Sequence, residues 1–284
     1  MLIIKDIKSL RKVLDKASRQ EQKIGFVPTM GYFHEGHLSL MRQAKKECDL
    51  CVVSIYVNPK QFGPREDLKK YPRNLKRDVS MIDKENVDIL FVPSDNVVYP
   101  KSYLTYIDVE KITATLCGRF RPGHFKGVAT VVAKLLNMVR PDIMYLGQKD
   151  AQQVAVLKQM VTDLNFPVTV RVVPTAREKD GLAMSSRNVY LTAQERLEAP
   201  VLYQALQMAA KRIKQGERSS FQIVRSITNS ITQQSQGKIQ YVECVDPNNL
   251  EPLKTIKGTV LIALAVFFGK TRLIDNVIVP IKKT

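Results

Sequence analysis

The chain has 284 residues and a mass of 32.2 kDa, enough for one large domain or two modest ones. With 44% hydrophobic and 25% charged residues it reads as globular rather than disordered or fibrous. Its 44 Lys and Arg against 27 Asp and Glu leave a net charge of +17, which favours anionic partners: nucleic acid, an acidic membrane surface, or phosphorylated and carboxylated small molecules.

The opening MLIIKDIKSLRK places apolar residues before its charges and has no long apolar stretch, unlike a secretory leader. Residues 23–28, 49–57, 88–93, 143–147 and 168–173 are rich in Val, Ile and Phe and bounded by turn residues, the pattern of buried strands. Between them, residues 38–48, 74–85, 125–139 and 151–163 predict helices. In the first, Leu40, Met41, Ala44 and Cys48 share one face. Strands alternating with helices predict an α/β fold, a Rossmann-like parallel sheet covered on both faces, over residues 1–174.

After Pro174 the texture changes. Thr192-Ala-Gln-Glu195 is a capping box that predicts one long helix to about Lys214. A second helix follows from Ser219 to about Gln233, then strand-like runs at 239–245, 259–268 and 272–279. Helices followed by strands predict a second, smaller α+β domain over residues 175–284. The run 259–268 is the longest apolar one and lies between Lys257 and Lys270, half of the ~20 residues that cross a bilayer. No membrane association is expected.

The charge excess divides as +10 before Pro174 and +7 after it, with no basic tail. A generally basic soluble surface therefore stands beside a nucleic-acid surface as a reading. Cysteines 48, 51, 117 and 244 lack a secretory context, which favours small core residues in a reducing cytoplasm.

The stretch VPTMGYFHEGHLS, residues 27–39, leaves the predicted first strand and enters a helix. In open parallel sheets, ligands sit at the carboxyl ends of strands beside helix N-termini. Two of the three histidines are here, His34 and His37, on one side of a first helical turn. Gly31 and Gly36 have Walker A spacing, but His37 and Leu38 follow where that loop needs Lys and then Ser or Thr. A zinc site shared with Cys48 and Cys51 fails on distance, because Cys48 ends the helix that His37 begins, about 16 Å away at ~1.5 Å per residue. A phosphate cradle of imidazole and helix N–H groups remains, with two structural histidines as the alternative.

His34-Glu-Gly-His37 resembles the HxGH signature of adenylyl- and nucleotidylyl-transferring enzymes, the superfamily that includes class I aminoacyl-tRNA synthetases. PTMGYFHEGHLSL, VSIYVNPKQFGPREDLKKYPR, RPGHFKGV, GQKDAQQ, SSRNVYL and RLIDN follow one another in that order. Together they resemble the pantothenate synthetase (pantoate–β-alanine ligase) family, nearly from end to end. The resemblance implies condensation of pantoate with β-alanine through a pantoyl adenylate, with ATP as co-substrate and Mg2+. Pyrophosphate and AMP are released, and the product is a coenzyme A precursor. It also implies a cytoplasmic homodimer with no nucleic-acid partner, and a second domain that closes over the site.

By the same resemblance, Met30, Gly31, Tyr32, Phe33, His34, Glu35, Gly36 and His37 form the nucleotide site, with His37 the first proton donor to a phosphate oxygen. Gly147, Gln148, Lys149 and Asp150 would add to it, Lys149 as the cation on phosphate. Ala176, Met184, Ser185, Ser186 and Arg187 would form the second phosphate-binding signature. Gln61 and Gln153 would hold pantoate, with Met30, Asn58, Arg121 and His124 nearby and Tyr71 on a mobile loop. No residue is assigned to the metal. Gln148 stands where the family commonly has Glu, Ala151 where a bulky aromatic is usual, and Met184 where Leu is common. An adenylyltransferase acting on another acid or nucleotide is the nearest rival.

Overall fold

The computed structural model describes residues 1–64 and 66–281. Arg65 of the GPRED stretch and the last three residues of the second predicted domain lie outside them. In chain order the elements are β1 (Leu2–Ile4), α1 (Ile7–Arg19), β2 (Ile24–Thr29), α2 (Glu35–Glu47), β3 (Leu50–Ile55), α3 (Leu75–Asp83), β4 (Ile89–Phe91), α4 (Asp95–Val98), α5 (Leu116–Phe120), α6 (His124–Val139), β5 (Ile143–Gly147), α7 (Ala151–Asp163) and β6 (Thr169–Val173). There follow α8 (Ala193–Glu198), α9 (Val201–Lys214), α10 (Ser220–Gln234), β7 (Lys238–Val245), β8 (Val260–Phe268) and β9 (Thr271–Val279).

Two compact units divide these elements. The first is Met1–Glu110, Arg121–Gly147 and Val156–Pro174; the second is Lys111–Phe120, Gln148–Ala155 and Thr175–Thr284. In this division two segments, 111–120 and 148–155, group with the residues that follow Pro174. Asn276 binds the Gln148 and Lys149 carbonyls at 3.0 and 2.9 Å, Arg119 pairs with Glu243 at 2.6 Å, and Gln152 ties the two segments to each other. Its buried amide accepts from the Cys117 N–H at 2.9 Å and donates to the Ile112 and Thr115 carbonyls at 2.9 and 2.8 Å, tying the start of α7 to the turn around α5.

The first unit holds a six-stranded parallel sheet in the order β1-β4-β3-β2-β5-β6. Successive strands run outward from β2 through β3 to β4, and β5 then takes the other side of β2. The carboxyl ends of β2 and β5 thus flank the topological switch point, where such sheets bind ligands. Val27, Val53, Leu90, Ile143 and Tyr145 form a core with Phe33, Leu38, Met41 and Ala44 of the α2 region. α1 buries Leu10, Leu14 and Ala17, the spacing of one helical face. Neither β1 nor α1 was among the elements expected from the sequence.

In the second unit, α9 and α10 cover one face of the antiparallel sheet β7-β8-β9. Alternate β8 residues Val260, Ile262, Leu264 and Val266 meet Leu206, Ile213, Ile223 and Ile227 in its core. The helix expected to run unbroken from Thr192 is two helices. The capping box forms, with Glu195 N–H donating to Thr192 Oγ1 at 3.3 Å and Thr192 N–H to Glu195 Oε2 at 2.8 Å, but α8 stops at Glu198. Pro200, in the linking turn, cannot donate within a continuing helix. Among the described residues no helix is long and apolar enough to cross a membrane.

Candidate active site

β2 delivers the chain to the HEGH stretch at the switch point. Gly31 and Tyr32 turn it there with φ of +79° and +52°, left-handed values that suit Gly and strain Tyr. Asp78 of α3 steadies the turn. Its carboxylate accepts from the Tyr32 and Phe33 N–H groups at 2.7 and 2.8 Å, and it is only 2% exposed. Phe33 is fully buried, whereas Tyr32 lies under the Arg77 guanidinium, 4.9 Å from its ring centroid. Glu35 opens α2 and pairs with Arg42, which also binds Glu85 at 2.6 Å. Asp78 was missed at the sequence level. A carboxylate within the Leu75, Val79, Ile82 stripe of an amphipathic helix was the available signal.

The two histidines cap α2 reciprocally. His34 Nδ1 accepts the Gly36 N–H at 3.2 Å, and His37 Nδ1 accepts the His34 N–H at 3.4 Å. Their ring centroids lie 4.1 Å apart. An accepting Nδ1 carries no proton, so each neutral ring is the Nε2–H tautomer. The opposite edge of both imidazoles is then a donor beside the positive end of a helix, a combination suited to phosphate.

A second group in this unit is organised around Gln61, which is 8% exposed. Its Nε2 donates to Met30 Sδ at 3.2 Å, and its Oε1 accepts from Asn58 Nδ2 at 3.1 Å. Asn58 Nδ2 also donates to the Gly127 carbonyl at 3.1 Å, and its Oδ1 accepts from Tyr99 Oη at 3.0 Å. Burial pushes the Tyr99 phenol well above its ordinary pKa, so it stays a donor. Gly127 permits this approach, since a Cβ there would fall 2.3 Å from the Lys60 carbonyl oxygen.

Arg121 and His124 reach the same turn. Arg121 Nη1 lies 3.0 Å from His124 Nε2, and His124 Nδ1 lies 2.7 Å from the Gln61 carbonyl. A carbonyl can only accept, so His124 is protonated on Nδ1 and accepts from Arg121 at Nε2. Burial of Glu66 would raise its carboxyl, but Arg121 at 2.5 Å outweighs it and holds the pKa below the usual range. Asn58, Arg121 and His124 thus hold Gln61 by side chain and backbone. Tyr71 is buried with its ring edge-to-face on Phe62, centroids 5.9 Å apart.

In the second unit the chain passes Gly147 into a turn over Gln148–Asp150 and then α7. Lys149 Nζ stands 4.0 Å from Asp150 Oδ1, and Gln153 is half-buried on α7. Ala176 accepts the Met184 N–H at 3.0 Å. Ser185 then caps a short helical turn over Ser186–Tyr190, its Oγ accepting from Arg187 N–H at 3.2 Å. Sequence reasoning assigned no role to Arg177, Asp275 or Asn276 of this unit, although RLIDN was among the matching words.

A family model described as pantoate-beta-alanine ligase matches residues 2–278. The chain belongs to the pantoate–β-alanine ligase family. It is 53% identical over 278 residues to a pantothenate synthetase of Thermoanaerobacter pseudethanolicus, covering 98% of both chains. With one from Caldicellulosiruptor bescii it shares 51% over 282 residues, covering 99% of this chain and all of the relative. The pantothenate synthetase of Thermus thermophilus superposes with a TM-score of 0.93 at 43% identity, with 98% of this chain and 99% of that one covered. The pantoate–β-alanine ligase of Francisella tularensis, solved with β,γ-ATP and β-alanine, gives a TM-score of 0.82 at 38% identity, with 98% and 97% covered. Membership of this ligase family makes the chain an ATP-dependent ligase that forms pantothenate, on the parallel sheet and smaller antiparallel sheet described above.

Proposed function

We propose that the chain makes pantothenate in two steps through a pantoyl adenylate, with His34, His37, Lys149, Ser185, Ser186 and Arg187 acting on ATP and Gln61 and Gln153 on pantoate. The paired Nε2–H imidazoles at the N-terminus of α2 carry this reading. In the first step a pantoate carboxylate oxygen attacks the α-phosphorus, the bond to the bridging oxygen breaks, and pyrophosphate leaves. The carboxylate is already ionised at neutral pH, so catalysis lies in orientation and in stabilising charge on the phosphoryl oxygens. His37 and His34 would donate from Nε2, and Lys149 and Arg187 would supply fixed positive charge with the serine hydroxyls as further donors.

In the second step an uncharged β-alanine amine attacks the acyl carbon. The bond to AMP breaks, the amide forms, and the ammonium proton is lost. The mixed anhydride must meanwhile be kept from water. Gln61 offers pantoate's hydroxyls and carboxylate an amide donor and acceptor without a competing charge, with Met30 against it and Asn58, Arg121 and His124 behind it. Tyr71 would close the pantoate end. Asp150 is half exposed, a hard oxygen ligand of the type that a magnesium ion carried by ATP takes. Such an ion would withdraw charge from the phosphates.

The deciding assay supplies pantoate, β-alanine and Mg-ATP and expects pantothenate, AMP and pyrophosphate in equal amounts. With β-alanine omitted, pantoate should still drive exchange of pyrophosphate into ATP. No product from folded protein would sink the reading, and exchange with another acid but not with pantoate would favour the rival adenylyltransferase. A cytoplasmic homodimer belongs to the same reading; sedimentation at the monomer mass of 32.2 kDa would contradict the dimer.

A further inference from the structure

We propose that Asn276, on β9, is the positioning residue that aims Lys149, an inference that rests on Lys149 acting on the phosphates. The Asn276 side chain is 4% exposed, and its hydrogen bonds go to one turn. Nδ2 donates to the Gln148 carbonyl at 3.0 Å and to the Lys149 carbonyl at 2.9 Å, and Oδ1 accepts from Gln148 Nε2 at 2.9 Å. Those carbonyls belong to the peptide groups on either side of the Lys149 Cα. Fixing both planes fixes φ and ψ between them, and with these the direction of the Cα–Cβ bond. The ammonium sits at the end of a flexible side chain, so a stray backbone would spread it over several ångströms, which an electrostatic donor cannot tolerate.

Only a carboxamide meets the demand, since one nitrogen must supply two donors and the neighbouring oxygen an acceptor. Gln148 Nε2 supplies the donor that Oδ1 accepts. The base of the brace is itself rigid. Asp275 binds Arg177 in a two-point ion pair at 2.6 and 2.9 Å and accepts the Asn276 N–H at 2.8 Å. The Arg177 guanidinium lies 3.8 Å from the Tyr203 ring centroid. β9 is paired to β8 along its whole length, with Asn276 opposite Ala263.

The test is pantoate-dependent pyrophosphate exchange in Asn276→Asp, Lys149→Ala and the double variant of the full chain. Asp keeps the volume of Asn but turns the double donor into an acceptor facing two carbonyls. The maximal exchange rate should fall at least tenfold in Asn276→Asp, with KM for ATP and pantoate changed less than threefold. On the Lys149→Ala background the same change should cost less than twofold, because nothing remains to be aimed. Equal fold losses on both backgrounds, or a rate within threefold of the starting protein, overturn the proposal. If Asn276→Asp does not fold, Asn276→Ala is measured under the same criteria. Near-full exchange in Lys149→Ala alone is a different failure: it removes the assignment of Lys149, and the positioning role with it.

Discussion

In the first unit the turn into α2 presents backbone N–H groups, and acceptors close it: Asp78 takes two and the two imidazoles take two more. In the second unit the turn around Lys149 presents carbonyls, and the donors of Asn276 close it. The difference follows from where each turn sits. A helix start leaves N–H groups without partners, so side chains there must accept, and an imidazole that accepts at Nδ1 keeps an N–H donor at its other edge. Lys149 carries its own charge, so in the proposed role its turn supplies aim.

The sharpest way to test that pairing is to remove one functional group from each unit. His37→Ala and Lys149→Ala should each slow pantoate-dependent pyrophosphate exchange by 100-fold or more, about 2.7–4 kcal/mol of barrier. A loss in only one would break the symmetry of the comparison. Next comes the acceptor brace. Asp78→Ala strands the part-buried Tyr32 N–H and the buried Phe33 N–H and should lower the unfolding free energy by about 3 kcal/mol in urea titration, against about half that for Asp78→Asn, which keeps one acceptor. Equal effects from the two would show that packing, not acceptance, matters.

Gly127→Ala would press a methyl onto the Lys60 carbonyl and should cost about 1–3 kcal/mol, with a higher pantoate KM because Gln61 moves with that backbone. An unchanged KM would separate Gln61 from its support. Thr192→Ala should cost about 1 kcal/mol through its cap and leave exchange unaltered, so a slower enzyme would speak against a purely structural cap. Smallest of all is the expected labelling of Cys51. Burial pushes its thiol up to about 12, so the protonated, unreactive form persists well past pH 8. Iodoacetamide at pH 8.5 should modify it in denaturant but not in the native protein.

Residue pattern exposed the middle of the sheet because β2, β3, β4 and β5 are mostly buried on both faces: β5 begins and ends as the apolar run did, at residues 143 and 147. β1 escaped because it is three residues long with Leu2 and Ile3 exposed, and α1 because five Lys or Arg among its 13 residues hide its Leu10, Leu14, Ala17 stripe. The break at Pro200 was legible and outweighed by a capping box that correctly marked the start. The functional words were legible as words, and the HEGH spacing anticipated the close approach of the two rings. Their supports were not, because Asp78 and Asn276 act on backbone far away in sequence. An isolated Asp or Asn carries no sign of which peptide it will meet.

One edge of the His34 imidazole caps α2 through Nδ1 while the other, in the proposed mechanism, donates to ATP, so a single ring would serve both folding and chemistry. His34→Ala damages both and yields a phenotype that cannot be assigned to either. His34→Asn separates them, since an amide oxygen is a strong helix cap while the donor on the far edge is gone. The expected protein melts with its parent yet exchanges pyrophosphate slowly. Such a variant would be an inert, intact scaffold in which ligand binding can be watched without consumption of ATP.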